Sequence, residues 1–178
     1  MPLIKNILII NGSASSNSSN ERLIAKLVRL IDRDFNCSVF HELKLLPHFD
    51  PQLSVEKTPK LVLELRKKVE VADGIIICTP EYVFSIPSGL KNAIEWCVST
   101  TVFSDKPCGL ITASAHGAKA HEELQLIMNT IMAKLSSETN LLIQGIKGKI
   151  NTEGEFTDEN TRGEVDRFIT AFKAMLEK

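Results

Sequence analysis

Two runs of consecutive large aliphatic residues, at 7–10 and 75–77, constrain the fold of this chain most strongly. Each lies within a short segment, 5–11 or 74–79, that is bounded by polar or turn-forming residues. Near-continuous apolar sequences of this kind are typical of strands buried on both faces, in parallel sheets that helices cover on each side. Both runs are therefore predicted to be central strands of such a sheet.

Strand-like and helix-like segments alternate along the whole chain. The predicted strands are residues 5–11, 37–43, 74–79, 107–113 and 141–146. The predicted helices are residues 21–34, 59–72, 88–98, 119–134 and 159–176. This alternation predicts an α/β protein with a doubly wound parallel sheet and helices on both faces, and five strands favour the flavodoxin-like order 2-1-3-4-5. With 178 residues, no repeat and no linker, the chain is expected to form one domain over 1–178.

Charge and hydropathy narrow the class of partner. Lys and Arg total 21 against 22 Asp and Glu, which leaves a net charge of -1 and no overall attraction to nucleic acid or an anionic membrane, both of which require a basic face. No apolar run approaches the roughly 20 residues of a membrane span, and the N-terminal residues lack a signal-peptide cleavage pattern. We therefore expect a cytoplasmic protein with neither a nucleic-acid nor a membrane partner, although a small local anion site is compatible with this charge.

The four cysteines carry no recognisable chemistry. Cys37, Cys78, Cys97 and Cys108 form no C-x-x-C pair, so neither a zinc knuckle nor a thioredoxin-type redox pair is available, and no metal site is expected. Free cysteines are commonly buried as small hydrophobic residues. All four are predicted to be such residues, and none is nominated as a nucleophile.

The predicted topology indicates where a ligand would bind. In an open α/β sheet, ligands bind beyond the carboxyl ends of the strands, at the point where the winding direction reverses. For the order 2-1-3-4-5 this point lies between strands 1 and 3. The loops at 12–19 and 80–87 meet there, and the loop at 114–119 lies next along the sheet.

The first of these loops has the composition of a phosphate site. Residues 12–20 offer small side chains, hydroxyl groups and free backbone N–H groups at the start of a helix, whose N-terminus attracts anions. The loop matches neither the P-loop motif nor the dinucleotide-binding fingerprint. A serine-rich turn that ends in a capping box, Ser18 with Glu21, would also explain the pattern. The position at the reversal point favours the phosphate site.

The second loop contains aromatic residues between two prolines. Tyr82, the only tyrosine, and Phe84 lie between Pro80 and Pro87. A planar, partly apolar ligand would be bound by such a wall and by backbone amides held in place beside it. Alternatively, Tyr82 and Phe84 cover the end of the core or form a subunit interface.

Taken together, these stretches resemble the NADPH-dependent FMN reductase family of flavodoxin-like proteins. The first loop of that family runs G-S-x-R-x-x-S-x-N, and Gly12, Ser13, Ser18 and Asn20 match it here. The second motif is close to P-E-Y-N-x-S-x-P-G-x-L-K-N-A-I-D-W. It is matched by Pro80, Glu81, Tyr82, Ser85, Pro87, Leu90, Lys91, Asn92, Ala93, Ile94 and Trp96, with Glu95 for the Asp.

The resemblance implies an enzyme that uses bound FMN, with NAD(P)H as the co-substrate. It places the phosphate in the first loop and the ring against the second, while the third loop closes over the polar edge of the ring. The implied cofactor-binding residues are Ser13, Ser15, Ser18, Ser19 and Asn20, then Pro80, Glu81, Tyr82 and Val83, and more loosely Ser114, His116 and Gly117.

The sequence departs from the family pattern at two site positions. The arginine of the first loop is Ser15 here, and the asparagine after the tyrosine is Val83. Loss of one charged and one neutral hydrogen bond would weaken FMN binding by roughly one to three orders of magnitude. A degenerate binding or regulatory protein with little or no flavin therefore stays an alternative. A non-enzymatic electron-transfer flavodoxin is another, although the charge of -1 and the lack of a T/S-x-T-G-x-T loop disfavour it.

The implied reaction passes hydride from NAD(P)H through the flavin to a quinone, an azo compound, free flavin or an oxidised metal ion, by a ping-pong mechanism. No side chain needs to act as acid or base, so no catalytic residue is nominated, and His116 is either a proton donor to the ring or a solvated or capping histidine. The resemblance also implies a homodimer or homotetramer. Trp96 and Phe103 are candidates for the subunit contact, with core packing as the alternative.

Overall fold

The structure, a computed structural model, describes residues 4–177 and is built on one five-stranded parallel sheet. Its strands are β1 (Lys5–Asn11), β2 (Phe35–Phe40), β3 (Gly74–Thr79), β4 (Cys108–Ser114) and β5 (Asn140–Gln144). They pair in the order β2-β1-β3-β4-β5, and every pairing is parallel. The predicted fold class and strand order are confirmed.

Helices cover both faces of the sheet. They are α1 (Ser19–Ile31), α2 (Lys60–Val71), α3 (Ser88–Glu95), α4 (Ala118–Thr130), α5 (Ile146–Lys149) and α6 (Glu159–Leu176), with single 3₁₀ turns at Glu42–Leu45 and Ser137–Thr139. Helices α2, α3 and α4 pack on one face and α1 and α6 on the other. In the part of the chain that the structure describes, no helix is both long and apolar enough to cross a membrane.

The aliphatic runs divide between these two cores because successive strand side chains point to opposite faces. Leu8 and Ile10 lie in the core beneath α2, α3 and α4, whereas Ile7 and Ile9 pack against α1 and α6. Strands β1 and β3 are thus buried on both faces, which is why their aliphatic runs are continuous rather than alternating.

Several predicted elements end earlier in the structure, the second strand and helix α4 by three and four residues. The second strand begins at Phe35 and stops at Phe40, because residues 42–45 form a 3₁₀ turn. Helix α4 stops at Thr130 instead of continuing to Lys134. The Ala133 and Met132 N–H groups donate to the carbonyls of Met128 and Asn129, a Schellman ending with Met132 at φ +61°. Glycine usually occupies that position, so the sequence lacks the usual signal for the stop.

The prediction that Trp96 and Phe103 form a subunit contact is wrong. Trp96 is fully buried and Phe103 is 4% exposed. The Trp96 indole N–H donates to the Pro47 carbonyl at 2.8 Å, and the Phe49 ring packs edge-on against the indole with ring centroids 5.3 Å apart. The tryptophan lies off the apolar stripe of α3 because it packs beneath the segment that follows β2, not because it faces a partner.

The cysteines behave as small hydrophobic residues. Cys78, Cys97 and Cys108 are buried and Cys37 is half-buried. Burial raises the pKa of each of the first three thiols to about 12, and burial together with Asp32 raises the pKa of Cys37 to about 11. All four thiols are therefore protonated at neutral pH, as expected of structural cysteines.

The backbone at Gly12 lies so close to β3 that no side chain fits there. The Gly12 N–H donates to the Cys78 carbonyl at 2.8 Å. A Cβ at this position would lie 2.4 Å from the Thr79 Oγ1 atom and 2.6 Å from its Cβ. Glycine at residue 12 thus allows the first loop to leave β1 directly against the end of β3.

We expect Gly12→Ala to lower the free energy of unfolding by roughly 1–3 kcal/mol, because the added methyl group overpacks against Thr79. Gly89→Ala is the matched control: its Cβ would lie an ordinary 3.7 Å from the Leu43 Cβ, and alanine favours the helix. Denaturant unfolding of both variants measures the difference. Equal stability of the two would contradict the close approach.

Candidate functional site

The first and second loops meet at the carboxyl edge of the sheet between β1 and β3. The Tyr82 hydroxyl lies 3.5 Å from the Ser13 Oγ atom and 3.4 Å from the Ser15 Oγ atom. Since β1 and β3 are adjacent parallel strands, their following loops must emerge side by side. The topology thus brings together the hydroxyl-rich loop and the aromatic wall, as predicted.

The first loop enters α1 through a side-chain cap. The Ser18 hydroxyl accepts the Glu21 N–H at 3.1 Å, and the Glu21 carboxylate accepts the Asn17 N–H at 2.6 Å. The capping interaction considered for Ser18 and Glu21 is therefore formed, although the glutamate binds one residue earlier than in a standard capping box. The cap is compatible with a phosphate site, since the Ser18, Ser19 and Asn20 N–H groups have no acceptor within residues 4–177.

The side chains of Ser19 and Asn20 are directed into the protein. The Ser19 hydroxyl accepts from the Arg22 Nη2 atom at 3.2 Å. The Asn20 side chain donates to the Ala113 carbonyl at 2.9 Å and accepts from the Cys78 thiol at 3.4 Å. Asn20 thereby joins the start of α1 to the ends of β3 and β4. Its backbone N–H is left as the group that would contact a phosphate, and that role stays a prediction.

The second loop turns back on itself in a two-residue hairpin. The Tyr82 N–H donates to the Ser85 carbonyl at 2.9 Å, and the Ser85 N–H donates back to Tyr82 at 3.1 Å. The central residues Val83 and Phe84 have φ values of +51° and +58°, as in a type I′ turn. Asn-Gly is favoured in such turns, whereas a β-branched residue at positive φ is strained.

The side chains at the tip of this hairpin do not cover the core. Val83 is 95% exposed and Phe84 is 73% exposed. The alternative in which Phe84 closes the end of the core is therefore wrong, and the alternative of a subunit interface stays a prediction. Tyr82 is half-exposed and contacts the first loop instead.

The Glu81 side chain links the second loop to the third. Its carboxylate accepts the N–H groups of Gly117, Lys119 and Ala120 at the start of α4, each at 3.0 Å. Partial burial raises the pKa of Glu81, but these three donors and the nearby His116 outweigh it and hold the pKa below its usual value. The carboxylate caps α4 from another loop, so only the backbone of Glu81 is left to contact a ring.

A second carboxylate makes the reverse connection. Glu123 of α4 accepts the Ser85 hydroxyl at 2.7 Å and the Ile86 N–H at 2.9 Å. The hairpin is thus held to α4 at both ends, by Glu81 and by Glu123. Sequence reasoning missed Glu123, because a glutamate on an amphipathic helix carries no sign of a partner 38 residues away.

The third loop contributes mainly backbone. Gly117 begins α4 with φ +87°, and a Cβ there would lie 2.9 Å from the Leu142 Cδ1 atom, so this turn requires glycine. Ser114 is half-buried at the end of β4, and His116 is exposed beside Glu81. Neither side chain makes a hydrogen bond to another residue in the range 4–177, so the loose correspondence of Ser114 and His116 to the family loop stays a prediction.

A cavity of about 470 Å³ opens beside the first loop. This volume lies within the roughly 300–1,000 Å³ of small-molecule sites. The residues around it belong to the first loop, to Tyr82, to the start of α3 and to the segment after β2, which contributes His41, Lys44 and His48. Sequence reasoning missed this segment, although the strand order places the end of β2 beside β1.

Two motif residues of α3 hold the segment after β2 in place. The Asn92 side chain accepts the Phe49 N–H at 2.7 Å and donates to the Pro47 carbonyl at 2.9 Å. The Trp96 indole donates to the same carbonyl. The second motif therefore serves two purposes, since its first half forms the wall at residues 80–85 and its second half positions the far side of the cavity.

An open parallel sheet of this order, with loops that meet at the β1/β3 reversal point, defines a flavodoxin-like protein. The sequence model of the NADPH-dependent FMN reductases matches residues 5–145, which is most of the chain. The chain therefore belongs to the NADPH-dependent FMN reductase family. Its class as an NAD(P)H-dependent oxidoreductase and its use of FMN go with that membership.

Similar proteins span nearly the whole chain. The NADH:(hydroxy)cinnamate reductase subunit CrdA of Vibrio ruber is 32% identical over 94% of this chain and 85% of its own. A quinone reductase of Escherichia coli is 26% identical over 97% and 95% of the two chains. The structure of the flavoenzyme NAD(P)H:(acceptor) oxidoreductase FerB from Paracoccus denitrificans has a TM-score of 0.87, with 27% identity over 98% of each chain.

We expect Glu81→Gln to lower the free energy of unfolding at neutral pH by about 0.5–2 kcal/mol, the range of a lost helix cap. Because the folded-state pKa of Glu81 is lowered, its stabilisation is present above the unfolded pKa and is lost as the pH falls through the folded one. The difference between variant and wild type should therefore shrink below about pH 4. Urea unfolding across pH, with exposed Glu56→Gln as control, measures it; a pH-independent difference would rule out the charge effect.

We expect Val83→Asn to raise the free energy of unfolding by about 1 kcal/mol, since asparagine tolerates the left-handed backbone that strains valine. Val55→Asn is the control, because Val55 is also exposed but its φ is not positive. Thermal unfolding of both variants without flavin checks the prediction, which fails if the two substitutions have equal effects.

Proposed function

We propose that this chain binds FMN at the β1/β3 reversal point and uses it to pass electrons from NAD(P)H to a small-molecule acceptor, of which a quinone is the first candidate. The phosphate lies in the first loop and the ring lies along Pro80, Glu81, Tyr82 and Val83. The contact of the Tyr82 hydroxyl with Ser13 and Ser15 carries this proposal, because it joins the phosphate-type loop and the aromatic wall into one site.

The donors in the first loop suit a phosphate. The open N–H groups of residues 18–20 coincide with the positive end of the α1 dipole, and hydroxyl groups of Ser13 and Ser15 lie on the same loop. In addition, the Arg22 Nε atom is buried with no acceptor within residues 4–177. An anion with several oxygens would accept from the open N–H groups and the hydroxyl groups together.

The chain's own residues position the reaction and do not take part in proton transfer. Bound FMN would supply the hydride chemistry, and the protein would supply binding and orientation. Glu81 and Glu123 hold the hairpin beside α4, so its backbone amides are fixed before a ring binds. No catalytic side chain is required, and His116, which is exposed to solvent, needs no role as a proton donor.

We infer that NAD(P)H and the acceptor use the same face of the site in turn, which predicts ping-pong kinetics. A quinone is favoured as acceptor because relatives from Escherichia coli and Burkholderia are named as a quinone reductase and a 2-hydroxy-1,4-benzoquinone reductase. Azo compounds, free flavin and oxidised metal ions are the other acceptors to compare. A homodimer or homotetramer also stays part of the proposal, with Val83 and Phe84 as exposed apolar candidates for the contact.

The decisive experiment is an absorbance titration of the purified protein with FMN, then with NADH and NADPH under anaerobic conditions. We expect a shifted flavin spectrum that bleaches with one or both nucleotides and returns when a quinone is added. Initial rates at several quinone concentrations should give parallel double-reciprocal lines, and intersecting lines would contradict a shared face. A flavin spectrum that the protein does not change would favour the degenerate, regulatory alternative.

We expect Glu21→Gln to lower the FMN dissociation constant about 2- to 5-fold, the effect of one exposed charge near a helix end. The Glu21 carboxylate repels a phosphate and competes with it for the Asn17 N–H. Flavin fluorescence titration measures the change, with Glu64→Gln on α2 as control. Unchanged or weaker FMN binding by Glu21→Gln would show that the carboxylate does not face the phosphate.

A further inference from the structure

We propose that Arg22 supplies the positive charge for the flavin phosphate that Ser15 does not. This inference rests on the proposed function, since it assumes that FMN places its phosphate in the first loop. It concerns a residue outside both family motifs, in the first turns of α1.

The Arg22 guanidinium lies against the first loop. Side chains of a helix lean towards its N-terminus, and that of Arg22 therefore reaches back past its own turn. Its Nη1 atom donates to the Asn17 carbonyl at 3.1 Å, and its Nη2 atom donates to the Ser19 hydroxyl at 3.2 Å. These two contacts hold the guanidinium against residues 17 and 19, at the start of the helix.

The guanidinium has donors to spare and no acidic partner. Of its five N–H donors, two are used in these contacts, and the Nε atom is buried without an acceptor. No carboxylate lies within ion-pair distance of Arg22 in the range 4–177, whereas Lys26 and Arg29 further along α1 both pair with Glu155. Buried polar atoms without a partner are uncommon in folded proteins.

The position of the Arg22 charge at the start of α1 also points to a bound anion. A cation near the start of a helix opposes the helix dipole, so Arg22 and the α1 N-terminus repel each other without an anion between them. A phosphate beside them reverses this effect, because it attracts both. The Glu21 carboxylate accepts the Asn17 N–H on the same loop and places a negative charge near the phosphate. A cation beside the loop offsets the repulsion between these two negative groups.

Arg22 thus replaces the positive charge that is lost because Ser15 stands where the family has an arginine. The family arginine at residue 15 would extend from the loop itself, whereas here Ser15 contacts Tyr82 and the cation comes from the helix. The loss of affinity expected from Ser15 would then be offset, and FMN would bind more tightly than Ser15 alone predicts.

The first test compares FMN with riboflavin, which has the same ring and no phosphate. We expect the wild type to bind FMN more tightly than riboflavin. Arg22→Gln should raise the FMN dissociation constant about 10- to 100-fold, as for loss of a charged hydrogen bond. Its riboflavin dissociation constant should stay within about 2-fold of the wild-type value. Arg29→Gln on the same helix is the matched control and should bind both as the wild type does. Flavin fluorescence quenching gives all these constants without any turnover.

The second test moves the charge back to the loop. Ser15→Arg should restore most of the FMN affinity in the Arg22→Gln background. The same substitution should raise FMN affinity less in the wild type, where Arg22 is present, since both cations bind one phosphate. If Arg22→Gln does not fold, Arg22→Lys is used instead, because lysine keeps the charge but lacks the planar guanidinium. Arg22→Lys should lower the affinity for FMN and leave the affinity for riboflavin unchanged.

The outcomes separate this inference from the proposed function. Equal binding of FMN and riboflavin by the wild type would overturn the phosphate site and the proposed function with it. A wild-type preference for FMN that survives in Arg22→Gln would overturn only the role of Arg22. An equal loss of FMN and riboflavin binding in Arg22→Gln would also overturn it, because Arg22 would then only support the loop.

Discussion

The close approach of the first loop to the end of β3 is the constraint on which the site depends. Because β1 and β3 are paired in parallel and Gly12 has no side chain, the chain leaves β1 against Thr79 and continues the pairing by one further hydrogen bond. The two loops then emerge together, close enough for Tyr82 to reach Ser13. A bulkier residue at position 12 would push the first loop away from the end of β3 and so from the second loop.

The second and third loops of the site are joined to each other by carboxylates. Loops at the edge of a sheet are polar and bury little surface, so hydrogen bonds to charged groups, which are stronger than neutral ones, are an effective way to hold them. Glu81 binds the start of α4 from the hairpin, and Glu123 binds the hairpin from α4. The strained Val83 is maintained because the residues on both sides of it are held.

The charge around the first loop depends on the tertiary arrangement of its neighbours. By its own composition the loop is uncharged between Gly12 and Asn20, and Glu21 adds a negative group beside it. The helix N-terminus and the guanidinium of Arg22 supply the positive side. In the proposed site, anion recognition is distributed between a backbone dipole and one helix residue, where the family pattern has an arginine in the loop.

The sequence by itself determined the fold class and the strand order, and with them the edge of the sheet at which the first and second loops meet, since burial of a strand on both faces dictates its composition. It also indicated most of the first two loops through their motifs. Only the tertiary structure decided that Trp96 is buried, that α4 ends at Thr130 with Met132 in place of glycine at the left-handed position, and that Glu81 and Glu123 connect two loops. Those features depend on partners distant in sequence, and a side chain's own neighbours along the chain carry no information about which partner the fold will bring to it.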